Sequence, residues 1–219
     1  MVARIETHSE GAGSESKADG RPLIKIPAEK SPASVVFLGD SLTRGYGLDM
    51  EQAFPALIAG EIEKQELPFK VVNAGVSGMT SAGGLERLDW VLSDKARVLV
   101  VALGGNDGLR GLSPSATESN LDQIVSRSLQ MKIVTLLAEM QMPPNYGPEY
   151  AQAFRDVFKR VAQRHDVHLI PFLLSGVAGL PEMNQSDGIH PNADGQKVLA
   201  ANVWRHLGPV LEAMPNPST

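Results

Sequence analysis

The 219-residue chain carries 20 Lys and Arg against 25 Asp and Glu, a formal net charge of −5, with 42% hydrophobic and 21% charged residues. That composition suits a folded soluble domain and excludes a collagen-like or wholly disordered chain. The acidic balance argues against nucleic acid as a partner, because phosphate binding needs a basic face, and Cys 0 excludes disulfides, thiolate zinc sites and a cysteine nucleophile.

Residues 1–33 read as a flexible arm. Ser9–Gly20 contains no Leu, Ile, Val or Phe, so it cannot offset the entropy of ordering. Arg21–Pro27 alternates and could lie on the body as an edge segment. The start of the chain lacks the apolar stretch of about 7–15 residues that marks a secretory signal, and no run approaches the roughly 20 apolar residues of a membrane span. The compartment is therefore periplasmic or secreted if a leader was removed, and otherwise cytoplasmic. The folded domain is expected over 34–214, with a tail at 215–219.

Within that domain the chain alternates between two patterns. Val35–Leu38, Lys70–Asn73, Arg97–Ala102, Lys132–Leu137 and His168–Ile170 are short, β-branched and nearly continuously apolar, as parallel strands buried on both faces are. Between them, apolar residues recur at helical spacing: Phe54, Leu57, Ile58 and Ile62; Leu85, Leu88 and Leu92; Leu121, Ile124, Val125 and Leu129. Two further helices follow, on Tyr150, Phe154, Val157, Phe158 and Val161 and on Val198, Leu199, Val203, Trp204, Leu207 and Leu211. Such alternation predicts an α/β domain with a mostly parallel sheet, whose ligands bind at the carboxyl ends of the strands.

Four segments stand at those ends. After the first strand comes Gly39-Asp-Ser41-Leu42, where a serine hydroxyl at the sheet edge meets the positive start of a helix; the same residues also suit a plain N-cap. Asn73-Ala-Gly75 ends the second strand, Gly75 either bringing a backbone N–H to a ligand or making a turn. Gly104-Gly-Asn106-Asp107-Gly ends the third, Asn106 offering an amide donor or forming an Asn-Asp-Gly turn. After the fifth comes Asp187-Gly-Ile-His190-Pro, a spacing that lets a carboxylate face the histidine Nδ1–H and leaves Nε2 to accept a proton. His8, His165, His168 and His206 read as solvated or structural.

Taken in order, these segments resemble the four blocks of the GDSL/SGNH hydrolases, from about Val35 to Leu211. Gly45-Tyr-Gly47, Gly105–Gly111, Pro144–Gly147 and Asp187–Asn192 further resemble the thioesterase I/lysophospholipase L1-like arylesterase branch. The resemblance implies a flavodoxin-like, three-layer α/β/α sandwich with a central five-stranded parallel sheet in order 2-1-3-4-5. It also implies a serine esterase: Ser41 as nucleophile, His190 as base, Asp187 as its partner, and an oxyanion hole from Ser41, Gly75 and Asn106. Met79, Leu109, Leu112, Pro143, Pro144, Tyr146 and Ile189 are expected to rim the crevice and bind the acyl or aryl group, or to pack the loops. The expected partner is a small-molecule acyl ester (possible thioesters and lysophospholipids included), with no metal, no cofactor and no stable membrane insertion, in a monomer or small homo-oligomer. Asp40 and Asp107 are expected to shape loops. Two rival readings use the same positions: Mg²⁺-dependent phosphoryl transfer on Asp40, Asp107 and Asp187, and a non-catalytic ligand-binding module.

Overall fold

The computed structural model describes residues 32–93 and 95–215. The expected arm as far as residue 31, with its alternating segment and His8, lies outside the described residues, as does the tail from 216. Ala33, assigned to the arm, is instead the first residue of a strand, buried and paired with Phe69.

Five strands, β1 (Ala33–Gly39), β2 (Phe69–Asn73), β3 (Ala96–Ala102), β4 (Val134–Ala138) and β5 (His168–Ile170), form one parallel sheet in the order β2-β1-β3-β4-β5. Every residue of β1 is buried, and β3 exposes only Arg97. This explains their unbroken apolar sequences, since central parallel strands are covered on both faces. The expected start of β4 at Lys132 is two residues early. Lys132 has φ 61°, and Ile133 N–H donates to Ser128, so these residues close the preceding helix before the strand begins.

Among the described residues, seven α-helices connect and cover the sheet: α1 (Ser41–Arg44), α2 (Phe54–Lys64), α3 (Ser81–Val91), α4 (Gly105–Leu109), α5 (Pro114–Gln130), α6 (Pro148–His165) and α7 (Ala193–Ala213). Helices α2 and α7 pack together on one side, and α3, α5 and α6 on the other, giving three layers. The aromatic pairs Phe37–Phe54 and Phe154–Phe158 meet edge-on at 5.6 Å between ring centres, and each fully buried ring contributes about 1.5–3 kcal/mol. Leu129, expected on the apolar face of α5, is exposed one residue before the helix ends, whereas Ile133 just beyond it is buried. Among the described residues no helix is long and apolar enough to cross a membrane.

One buried side chain joins the last helix of the domain to its first two at the site. Gln196, in the first turn of α7, accepts from the Phe54 N–H at 2.8 Å and donates to the Leu42 carbonyl at 3.2 Å. The helix following His190 is thereby fixed against the helix carrying Ser41.

At the far side of β5, His168 Nε2 lies 2.8 Å from His206 Nδ1. Burial, aided by His168 and Arg205, holds the His206 imidazole below its ordinary range. The unfolded chain then binds more protons than the folded one as pH falls below about 6.5, so this pair costs stability on acidification. His206→Gln should therefore lose less of its urea midpoint between pH 8 and pH 5.5 than the parent. An equal loss would show that the pair does not contribute.

Candidate active site

The β1–α1 turn places the serine. Asp40 caps α1, accepting from the Leu42 N–H at 3.0 Å, and Ser41 is the first helical residue. Its N–H therefore belongs to the first turn, where donors have no intrahelical acceptor. The β2 loop lies directly on this turn: a Cβ on Gly75 would meet Arg44 N at 2.4 Å and the Asp40 carbonyl at 2.9 Å. Gly75 is required because backbone rests on backbone there, and its φ is not positive. Its N–H is held by the Asn73 side-chain oxygen at 3.0 Å.

Asn106 sits in the first turn of α4, a helix where the sequence suggested only a loop. Its Nδ2 donates to Asp40 Oδ2 and to the Met79 carbonyl, both at 3.1 Å. Asp40 is buried, and burial raises its pKa to about 6 against the lowering effect of the Leu42 and Asn106 hydrogen bonds. The Gly75 N–H and the Asn106 amide are thus each held by oxygen acceptors of the protein itself. An oxyanion, a stronger acceptor than an amide carbonyl, would share or replace the Asn73 and Met79 partners.

From the far side, the 187–190 turn brings in the histidine. Asp187 Oδ1 accepts from the N–H groups of Ile189 and His190, each at 2.9 Å, while Oδ2 faces His190 Nδ1 at 2.7 Å. These bonds, the His190 backbone first, draw the Asp187 pKa down to about 2. His190 Nε2 lies 3.0 Å from Ser41 Oγ. The chain from carboxylate to imidazole to hydroxyl is continuous.

The three aspartates do not converge. Asp107 is buried and accepts from Ser81 N–H at 2.8 Å, from the Ser81 hydroxyl and from Thr117 Oγ1 at 3.3 Å, fastening α4 to α3 and α5. Asp40 and Asp187 are committed to the partners above. Among the described residues, no three His, Asp or Glu side chains cluster as a metal site would need.

A cavity of about 670 Å³ opens beside Ser41 and Asn106, within the usual range of roughly 300–1,000 Å³ for small-molecule sites. Leu109, Pro143 and Ile189 line it. Met79 and Tyr146, expected on the rim, do not: Met79 is buried, and the Tyr146 hydroxyl donates to the Leu109 carbonyl at 3.0 Å, bracing the rim from behind. Leu112 is also outside the lining and partly exposed. The apolar floor comes from Met140, Met142, Phe172, Leu174 and Ala178, none of which the sequence marks. The one available signal was their position just after β4 and β5.

Comparison with known proteins agrees with this geometry. Residues 37–198 match the model of the GDSL-like lipase/acylhydrolase family. The chain is 40% identical over 190 residues to an esterase, TesA, of Pseudomonas aeruginosa, covering 86% of this chain and 94% of that protein. It is also 40% identical over 179 residues to thioesterase 1/protease 1/lysophospholipase L1 of Escherichia coli K12, covering 81% and 85% respectively. A crystal structure of TesA superposes with TM-score 0.78 at 41% identity, covering 81% of this chain and 99% of that one. The chain belongs to the GDSL-like lipase/acylhydrolase family.

If Asp40 acts by holding the Asn106 amide, the two must be coupled. Asp40→Asn keeps one acceptor for Leu42 but turns a donor toward Asn106, so it should lower kcat on a p-nitrophenyl ester at least tenfold. If the Asn106 amide receives an oxyanion, Asn106→Ala should cost on the order of 10²–10³ in kcat. The double variant should be no more than about threefold worse than Asn106→Ala alone; fully multiplicative losses would mean the two act independently.

Proposed function

We propose that the protein is a serine hydrolase of carboxylic esters in which Ser41, His190 and Asp187 act as the catalytic triad. The observation that carries this reading is the hydrogen-bonded chain from Asp187 Oδ2 through the imidazole to Ser41 Oγ, at 2.7 and 3.0 Å. His190 Nε2 takes the proton as Ser41 Oγ attacks the acyl carbonyl. Asp187, ionised at every working pH, fixes the tautomer and offsets the imidazolium charge. The carbonyl oxygen becomes an oxyanion received by the N–H groups of Ser41 and Gly75 and by the Asn106 amide. His190 then protonates the departing alcohol or thiol. Water, deprotonated by the same histidine, releases the acyl group from Ser41. The phosphoryl-transfer alternative loses its basis, because Asp40, Asp107 and Asp187 each face different partners.

The acyl group would lie along Met140, Met142, Phe172 and Leu174, with the leaving group toward the open mouth near Ile189. An apolar floor of this size favours short-to-medium acyl chains, and the names of the relatives point to esters, thioesters and lysophospholipids as the substrate classes to try. We assign catalysis to the domain that begins at β1 with Ala33 and closes with α7 at Ala213; the family match over 37–198 lies within it.

Ser41→Ala should abolish p-nitrophenyl butyrate hydrolysis by several orders of magnitude while the melting temperature stays within a few degrees. Activity within tenfold of the parent would remove Ser41 as nucleophile. Ala178→Trp should narrow the cavity and lower kcat/KM for a decanoyl ester at least tenfold relative to a butyryl ester. An unchanged ratio would place the acyl chain elsewhere.

A further inference from the structure

The Gly45-Tyr-Gly47 segment has no part in the mechanism above, yet it is built onto the histidine. The Tyr46 ring lies against the His190 ring with centroids 4.6 Å apart and planes inclined at 39°. Two bonds hold the tyrosine's backbone. Its N–H donates to the Ser41 carbonyl at 3.0 Å, and its carbonyl accepts from Gln185 Nε2 at 2.7 Å. The same Gln185 Nε2 donates to the Pro191 carbonyl at 3.0 Å, while the Gln185 N–H donates to the His190 carbonyl at 2.7 Å. Gly47 (φ 78°) allows the close fit, since a Cβ there would meet Gln185 Oε1 at 2.2 Å. One glutamine therefore clamps the tyrosine turn to the histidine turn, and the tyrosine backbone is anchored on the nucleophile's own carbonyl.

What this clamp holds in place is an aromatic face on a base that becomes a cation. The π face of tyrosine is electron-rich and attracts a cation within about 6 Å of its centre. A neutral imidazole gains little from that face, whereas the imidazolium gains much more. The interaction therefore strengthens as the proton moves from Ser41 to Nε2. It also limits rotation of the imidazole out of line with Ser41 Oγ.

We propose that Tyr46 is a positioning residue for His190, stabilising its imidazolium through the aromatic face and holding its ring in line between Asp187 and Ser41. This rests on His190 being the base, as proposed above. The charged groups that face His190 are Asp187 on its own turn and Asp40 behind Ser41, the latter through space. Neither is altered by replacing Tyr46.

The test compares Tyr46→Phe with Tyr46→Leu, measuring kcat/KM for p-nitrophenyl butyrate from pH 5 to 9. Leucine keeps a cover over the imidazole but lacks a π face, so desolvation is roughly preserved and the aromatic effect is isolated. Tyr46→Phe should keep the plateau within about twofold and the acid limb in place. Tyr46→Leu should lower the plateau roughly 3–10-fold, and the acid limb should move to lower pH by about 0.5–1 unit, the same free energy read on a second scale. Tyr46→Trp, with a larger π face, carries the test should the leucine variant fail to fold: a limb at or above the parent's supports the proposal, and one below it overturns it. Leucine matching phenylalanine in both readouts would overturn it, as would a lower plateau with an unmoved limb, which packing alone explains. A parent enzyme with no acid limb would overturn the His190 base itself.

Discussion

One buried carboxylate organises the site. Asp40 has one oxygen on the Leu42 N–H, which starts the helix that presents Ser41, and the other on the Asn106 amide. Ser41 follows β1 and Asn106 follows β3, so a single side chain sets the distance between them. Burial opposes its charge and raises its pKa to about 6, against the Leu42 and Asn106 donors and, through space, His190, which favour the ionised form. A group this costly to bury marks a place where geometry outweighs stability.

The rest of the fold aims loops at that point. Because β1 and β3 are adjacent and central, their carboxyl ends deliver Ser41 and Asn106 to one crevice, as parallel α/β sheets do. The histidine arrives from the other end of the domain and needs separate anchoring. Gln196 supplies it at the base of α7, through Leu42 and Phe54, and Gln185 supplies it at the turn, through Tyr46 and Pro191. Two buried or half-buried glutamines, each bonding on both sides, thus hold His190 opposite Ser41.

Much of this was legible in the sequence, and the exceptions share a cause. Continuous apolar runs marked the central strands β1 and β3, because burial on both faces leaves no polar alternation; β2 and β5, which expose Lys70, Val72, Asn73 and His168, were legible only as short runs between helical segments. The positions after the strands marked Ser41, Gly75, Asn106 and His190, because the topology gathers strand ends. Signals that depend on packing between distant segments were not readable. Gly75 is glycine because the backbone of α1 lies against it, a contact between residues some thirty apart in the chain. Met140, Met142 and Phe172 look like ordinary core residues until the β4 and β5 loops face each other across the cavity. Met79 was misplaced because a loop methionine can equally turn inward, and here it is the carbonyl that faces the site. The helical turn at Gly105–Leu109 was hidden by its glycines, which favour a loop when considered alone.

The central claim is that Ser41 attacks a carbonyl whose oxygen is received by three donors from three different segments. The direct measurement is a crystal structure of the protein inactivated with a p-nitrophenyl alkylphosphonate, whose tetrahedral phosphorus stands in for the intermediate. The account predicts one covalent adduct on Ser41 Oγ, with the phosphoryl oxygen roughly 2.7–3.1 Å from the Ser41 and Gly75 N–H groups and the Asn106 amide. It also predicts the alkyl chain against Met140 and Phe172. An adduct on another serine, or one on Ser41 whose phosphoryl oxygen points away from Gly75 and Asn106, would contradict it.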